Sequence, residues 1–209
     1  MPRHSTRPRS APVRDIPDPD DLTDGQRARR EAIVAAAATR MVTTDFADIS
    51  VTRVAADADV ALGTLYRYFS SKDHLMACAL LAWSSDFADR VNPRSSAPPA
   101  DRVAATIRRA ARAFEREPRV YETLLQIQAS RDPNAAEVYS RFADRQFTAF
   151  DASLDDAEAD ARHDVSLIMA AVLSEALRSR HAGSCSWAEV YRRIDRAAEL
   201  VTAGVRVAP

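Results

Sequence analysis

The sequence predicts an all-α chain of about nine helices. Three observations carry that prediction. Apolar residues recur at three- and four-residue spacing over most of the chain, and no stretch shows strand alternation bounded by hairpin turns. Ala, Arg, Leu and Glu are abundant, and these residues favour helix. Gly is scarce: Gly25, Gly63, Gly183 and Gly204 are too scattered to build a dinucleotide fingerprint or a phosphate-cradling loop.

Residues 1–22 are rich in Pro and Arg, then in Asp, with few apolar side chains, so disorder is expected there. Arg3, Arg7, Arg9 and Arg14 precede the first acid, Asp15. They form either a basic arm for DNA phosphates or a minor groove, or a solvated tail. Thr23 or Asp24 can cap a first helix running to about Val42, with Ile33, Ala36, Ala37 and Met41 at helical spacing. Ser50 caps a short helix over 51–58, in which Val51, Val54 and Ala55 share a face.

The next stretch, "ALGTLYRYFSSKDHL" (residues 61–75), has strand-like aromatics between helix-favouring flanks. A strand would place Arg67 on the same side as Leu65 and Phe69. A helix, at about 100° per residue, puts Leu62, Leu65 and Phe69 on one face and Tyr66 at its edge. Gly63, Thr64, Arg67 and Tyr68 then point away. The helical reading over 62–69 sorts the residues and is preferred. Ser71 can cap the following helix, and Asp73 suits its positive end. That helix runs toward Val91, and a Pro- and Ser-rich loop follows at 92–99. Five more helices are expected at about 100–116, 118–130, 133–154, 160–181 and 186–203, separated at Pro118, Asp132-Pro133, Asp155-Asp156 and Gly183.

Two short helices joined by a three-residue turn, 51–58 and 62–69, have helix-turn-helix geometry, whose second helix enters the DNA major groove. Its outward residues suit that task. Thr64 can donate to a phosphate, and Gly63 allows close backbone approach. Arg67 can reach guanine O6 and N7, and the tyrosines offer hydroxyls and rings. Lys72 is the only lysine of the chain. It starts a helix, where the macrodipole disfavours a cation, so an external phosphate is its expected partner.

At "VTRVAADADVALGTLYRYFSSKDHLMACAL" the chain closely resembles the DNA-binding domain of TetR-type transcriptional repressors, with their G-T-L-Y-x-Y-F-x-S-K-x-x-L signature. The resemblance covers about residues 26–80. It implies an all-α homodimer that binds double-stranded operator DNA through three N-terminal helices. A larger C-terminal helical domain would bind a small effector that releases the DNA. It also implies phosphate or base contacts at Thr64, Tyr66, Tyr68 and Lys72, with Arg67 as the variable reader. The full expected contact set is Arg53, Leu62, Gly63, Thr64, Tyr66, Arg67, Tyr68 and Lys72. The chain departs from the family pattern in four places. Asp45 and Asp59 stand where Gly is common, and Asp tolerates the left-handed conformation those turns would need. Ala61 replaces a capping Ser, and Thr52 replaces an Arg, with Arg53 beside it. The stretch "ADVALGTLYRYFSSKDHL" and the layout of the last two helices are similar to actinobacterial repressors of sterol and cholesterol catabolism. That similarity implies an effector resembling a sterol-derived acyl-CoA.

The expected organisation is an arm (1–22), a helix-turn-helix domain (23–72) and an effector-binding and dimerisation domain (73–209). Candidate cavity residues are Trp83, Phe87, Phe114, Tyr121, Leu124, Gln128, Phe142, Phe147 and Met169; each could equally be core. The apolar stripes of the last two helices suit either a dimer's four-helix bundle or the chain's own core.

Several classes are disfavoured. The longest apolar run, near Leu75 to Trp83, is too short to span a bilayer, and the first residues lack a signal peptide's apolar core. A cytoplasmic protein without membrane contact is expected, with Cys78 and Cys185 as free thiols. His163 and His181 lack partners at metal spacing, so no metal or cofactor is expected. No Gly-x-Ser-x-Gly, His-Glu-x-x-His or Cys-x-x-Cys is present, so an enzyme is not expected. A net charge of −1 leaves room for local basic patches only. A ligand-released repressor is the leading reading; an activator of the same fold or a helical interaction protein are the alternatives.

Overall fold

A computed structural model describes residues 16–88, 96–154 and 157–203. Every regular element among them is helical: α1 (Asp24–Thr43), α2 (Val51–Asp57), α3 (Leu62–Tyr68), α4 (Lys72–Ala88), α5 (Pro99–Arg116), α6 (Arg119–Gln128), α7 (Pro133–Asp151), α8 (Ala159–His181) and α9 (Trp187–Thr202), with 3₁₀ turns at Pro19–Asp21, Phe46–Asp48 and Ala152–Leu154. The all-α expectation holds. Side chains of residues 86–88 are not described.

Local chemistry explains the helix starts. Thr23 and Gln26 form a reciprocal capping box at α1: the Thr23 hydroxyl accepts from Gln26 N–H, and the Gln26 side chain accepts from Thr23 N–H. Ser50 caps α2 through Arg53 N–H, and Ser71 caps α4 through His74 N–H at 3.0 Å. Asp132 and Ser186 do the same for α7 and α9.

One prediction about the arm needs correction. Residues 16–22 are ordered: Asp18 caps a 3₁₀ turn, Leu22 is buried, and Arg27 donates to the carbonyls of Pro19 and Leu22. The buried Leu22 and the caps supply what composition did not reveal. Residues 1–15, with Arg3, Arg7, Arg9 and Arg14, lie outside the described residues.

α1 packs on α4, and α2 and α3 pack on α1 and on each other; α4 is buried without a break from His74 to Leu80. α4 also packs along α7 and α6, while α5 packs on α9 and α8 on α9. One continuous apolar core therefore runs from Ile33 and Leu65 at the head to Met169 and Ile194 behind it. No described helix is long and apolar enough to cross a membrane.

Candidate nucleic-acid interface and the cavity behind it

α3 has seven residues, too few for a stable isolated helix, so packing must hold it. Leu65 and Phe69 are fully buried, and Tyr68 is 4% exposed. Ala61 offers no side-chain cap. The turn before α3 is closed by Val60 N–H donating to the Ala55 carbonyl at 2.9 Å, with Asp59 left-handed at φ 53°. Asp59 thus does the work usually given to Gly, as the sequence suggested. Asp45 does not. Its φ is −63°, and it instead accepts from Arg119 Nε at 2.7 Å, tying α6 to the turn after α1.

The outward surface of α3 presents Gly63 and Arg67, both exposed, with Thr64 and Tyr66 half-buried beside them. A methyl group built on Gly63 would meet nothing within 4 Å. Arg67 has no hydrogen bond or ion pair with the described residues. On α2, Thr52 and Arg53 are exposed on the same head. Nearby, Arg40 and Asp57 pair at 2.7 Å, and the hydrogen bond from Arg40 holds the Asp57 carboxyl below its usual range.

Two expected orientations are wrong. Tyr68 does not point outward, and Leu62 does not point inward: Leu62 is 39% exposed at the first turn. The buried face is centred on Leu65 rather than on Leu62. At about 100° per residue, that shift draws Tyr68 in to about 60° from the centre; Leu62 lies about 60° away on the other side and is exposed because it is the first residue of α3. Lys72 also differs from expectation. Its ammonium donates to the Phe46 carbonyl and lies 4.3 Å from the Phe46 ring centroid. Burial pushes its pKa down. The cation therefore ties α4 to the turn after α1, and no external anion is needed to explain it.

Where α3 meets α4, a polar junction joins the head to the helices behind. Asp132, the cap of α7, accepts from Ser70 Oγ at 2.6 Å and from Ser71 Oγ. Ser130, just past the end of α6, donates to Asp73 at 2.6 Å, and Asn134 donates to Ser70 Oγ at 3.1 Å. His74 is 6% exposed, and its Nδ1 accepts from Ser70 N–H at 3.2 Å. Burial pushes the His74 pKa down to about 4. Burial alone would raise the Asp132 pKa, but hydrogen bonds from Ser70, Ser71 and Asn134 hold it below the usual range.

Behind this junction, α5, α6, α7 and α8 line a half-open cavity of about 530 Å³. Its walls are mostly apolar and aromatic. The exposed residues Ala171, Ser174, Glu175 and Arg178 of α8 border it, and Glu175 and Arg178 pair at 2.7 Å. Leu167, Ile168 and Leu200, on α8 and α9, are large exposed apolar side chains, and Ile168 and Leu200 share a groove with Val172. No group of three or more His, Cys, Asp or Glu able to hold a metal occurs among the described residues.

The family model described as "Bacterial regulatory proteins, tetR family" matches residues 33–78, from within α1 into α4. A second, "Tetracyclin repressor-like, C-terminal domain", matches residues 97–201, half of the chain. The chain belongs to the TetR family. An HTH-type transcriptional repressor, KstR of Rhodococcus jostii (strain RHA1), is 34% identical over 122 residues, 56% of this chain and 56% of the relative. The chain thus spans about half the length of that curated relative. A TetR transcriptional regulator from Rhodococcus sp. RHA1 superposes with a TM-score of 0.70 at 24% identity, covering 87% of this chain and 99% of that one. FadR from Bacillus subtilis, solved in complex with stearoyl-CoA, superposes with a TM-score of 0.63 at 15% identity, covering 84% and 99%. Both show the shared fold.

In this TetR-family chain, six of the nine cavity candidates line the cavity: Phe114, Tyr121, Leu124, Gln128, Phe142 and Phe147. Trp83 does not. It packs on Phe114 at 5.1 Å and donates to Glu117. Met169 is fully buried in the core, and Phe87 lies outside the described side chains. Sequence reasoning missed Tyr139, Gln146 and Phe150, among others. A signal was present: residues 139, 142, 143, 146, 147 and 150 repeat at three and four along one face of α7.

Proposed function

We propose that the chain is a ligand-released transcriptional repressor that binds a pseudo-palindromic operator as a homodimer in the cytoplasm. The observation that carries this is α3: a helix held by Leu65, Tyr68 and Phe69 that exposes Gly63 and Arg67, with Thr64 and Tyr66 at its margins. In this reading Arg67 reads a base edge. Thr64, Tyr66 and Arg53 contact phosphates, and Leu62 at the rim offers a methyl contact. Lys72 and Tyr68 support the helix from behind.

The apolar cavity supports a small, mostly apolar effector, sterol- or acyl-derived. The stearoyl-CoA held by the FadR of Bacillus subtilis favours the same chemistry. Exposed Leu167, Ile168 and Leu200 support dimerisation through α8 and α9, because monomers rarely leave such side chains clustered in water. Footprinting on the DNA flanking the protein's own gene tests the reading. One protected two-fold site, lost when an effector that raises Tm is added, is the expected result. Protection without sequence preference would contradict it.

A further inference from the structure

Among the described residues, one fully buried side-chain polar atom on the cavity wall lacks a partner. Gln128 Nε2 donates to Tyr139 Oη at 2.7 Å, and Glu175 pairs with Arg178 at the exposed edge. The Nε2 of Gln146 is buried and has no hydrogen-bond partner. Gln146 lines the cavity from α7, one turn from Phe142 and one turn from Phe150, both buried. A buried amide nitrogen without an acceptor is costly, and native proteins keep such groups rarely and for a reason. An acceptor supplied by a guest in the cavity would satisfy it.

The geometry points to Gln146 as the effector-reading residue: its amide donates to one oxygen acceptor, a carbonyl or ether-like oxygen, set within an otherwise apolar effector. This rests on the cavity being the effector site. It goes further by naming the polar group the effector must bring. Aromatic rings of Phe114, Tyr121, Phe142 and Phe147 form walls that take flat or extended hydrocarbon. Selection then comes from the buried unpaired donor, since a site built to bond an oxygen rejects the analogue that lacks it.

Two matched probes test this: androst-4-en-3-one and its deoxygenated counterpart androst-4-ene, titrated by fluorescence against the full chain. The wild type should prefer the ketone by roughly ten-fold or more. Gln146→Leu should bind both and lose that preference. Without ligand, Gln146→Leu should keep or raise Tm, because the amide has no internal partner to lose. Leu124→Trp, checked for folding by circular dichroism, fills the cavity and should abolish binding of both. A Leu124→Trp protein that still binds overturns the cavity reading itself. If that variant fails to bind but Gln146→Leu keeps the preference, the cavity stands and the role of Gln146 falls. Equal or absent binding of the two probes by the wild type, or a fall of several degrees in the ligand-free Tm of Gln146→Leu, also overturns the assignment.

Discussion

Replacing Asp132 by Ala removes four hydrogen bonds at once, the weakest a 3.3 Å bond from Asn134 Nδ2. The carboxylate caps α7 through Asn134 N–H at 2.9 Å and accepts from the hydroxyls of Ser70 and Ser71. Loss of an Asp cap costs about 1 kcal/mol. Two hydroxyl-to-carboxylate bonds, discounted because the site is only half-buried, add about 1–2 kcal/mol together. The sum is about 2–3 kcal/mol, or a fall in Tm of roughly 4–12 °C for a chain of this size. The pH dependence has a fixed sign. Asp132 titrates below its ordinary value in the folded chain, so its contribution is complete at neutral pH and fades as pH falls through the acid range. Urea unfolding of wild type and variant at pH 7.5 and pH 3.5 measures both effects. A difference below about 0.5 kcal/mol at pH 7.5, or one that grows on acidification, refutes the assigned bonds.

Three further outcomes are expected. His74 falls from 6.5 to about 4 on burial, so unfolding takes up a proton between those values. Stability should drop by on the order of 3 kcal/mol as pH falls across that window, and His74→Gln should flatten the slope in the same urea titrations. Gly63→Ala should stabilise the free protein by about 0.5–1 kcal/mol, because the added methyl meets open space in a helix. The same variant should weaken operator binding in a gel shift, since the methyl sits on the outward face of α3. Ile168→Asp should shift the chain toward monomer in sedimentation velocity while leaving its circular dichroism unchanged.

Much of the fold was legible because its signals are local. Ser50 and Ser71 were read as caps from their own neighbours, and each makes the expected bond; of the two candidates at α1, Thr23 and Asp24, it is Thr23 that caps. Asp59 was read as a left-handed turn residue for the same reason. What stayed hidden depends on distant partners. Lys72 looked unpaired because Phe46, 26 residues earlier, is invisible to a local argument. The junction of Ser70 and Ser71 with Asp132 joins residues 61 and 62 apart. Tyr68 was misplaced by a modest rotation of one short helix, which is finer than two turns of sequence can specify. Periodicity finds an inward face, but it cannot separate Met169, in the core, from Phe142, on a cavity wall.

The central claim is that α3 reads DNA through Arg67. Fluorescence anisotropy on the footprinted operator and on a scrambled duplex, across a salt series, tests it most directly. The account predicts tight operator binding by the wild type that weakens steeply with salt. Arg67→Ala should lose roughly 1–3 kcal/mol of discrimination between the two duplexes while keeping its affinity for the scrambled one. An Arg67→Ala protein with undiminished discrimination would contradict it.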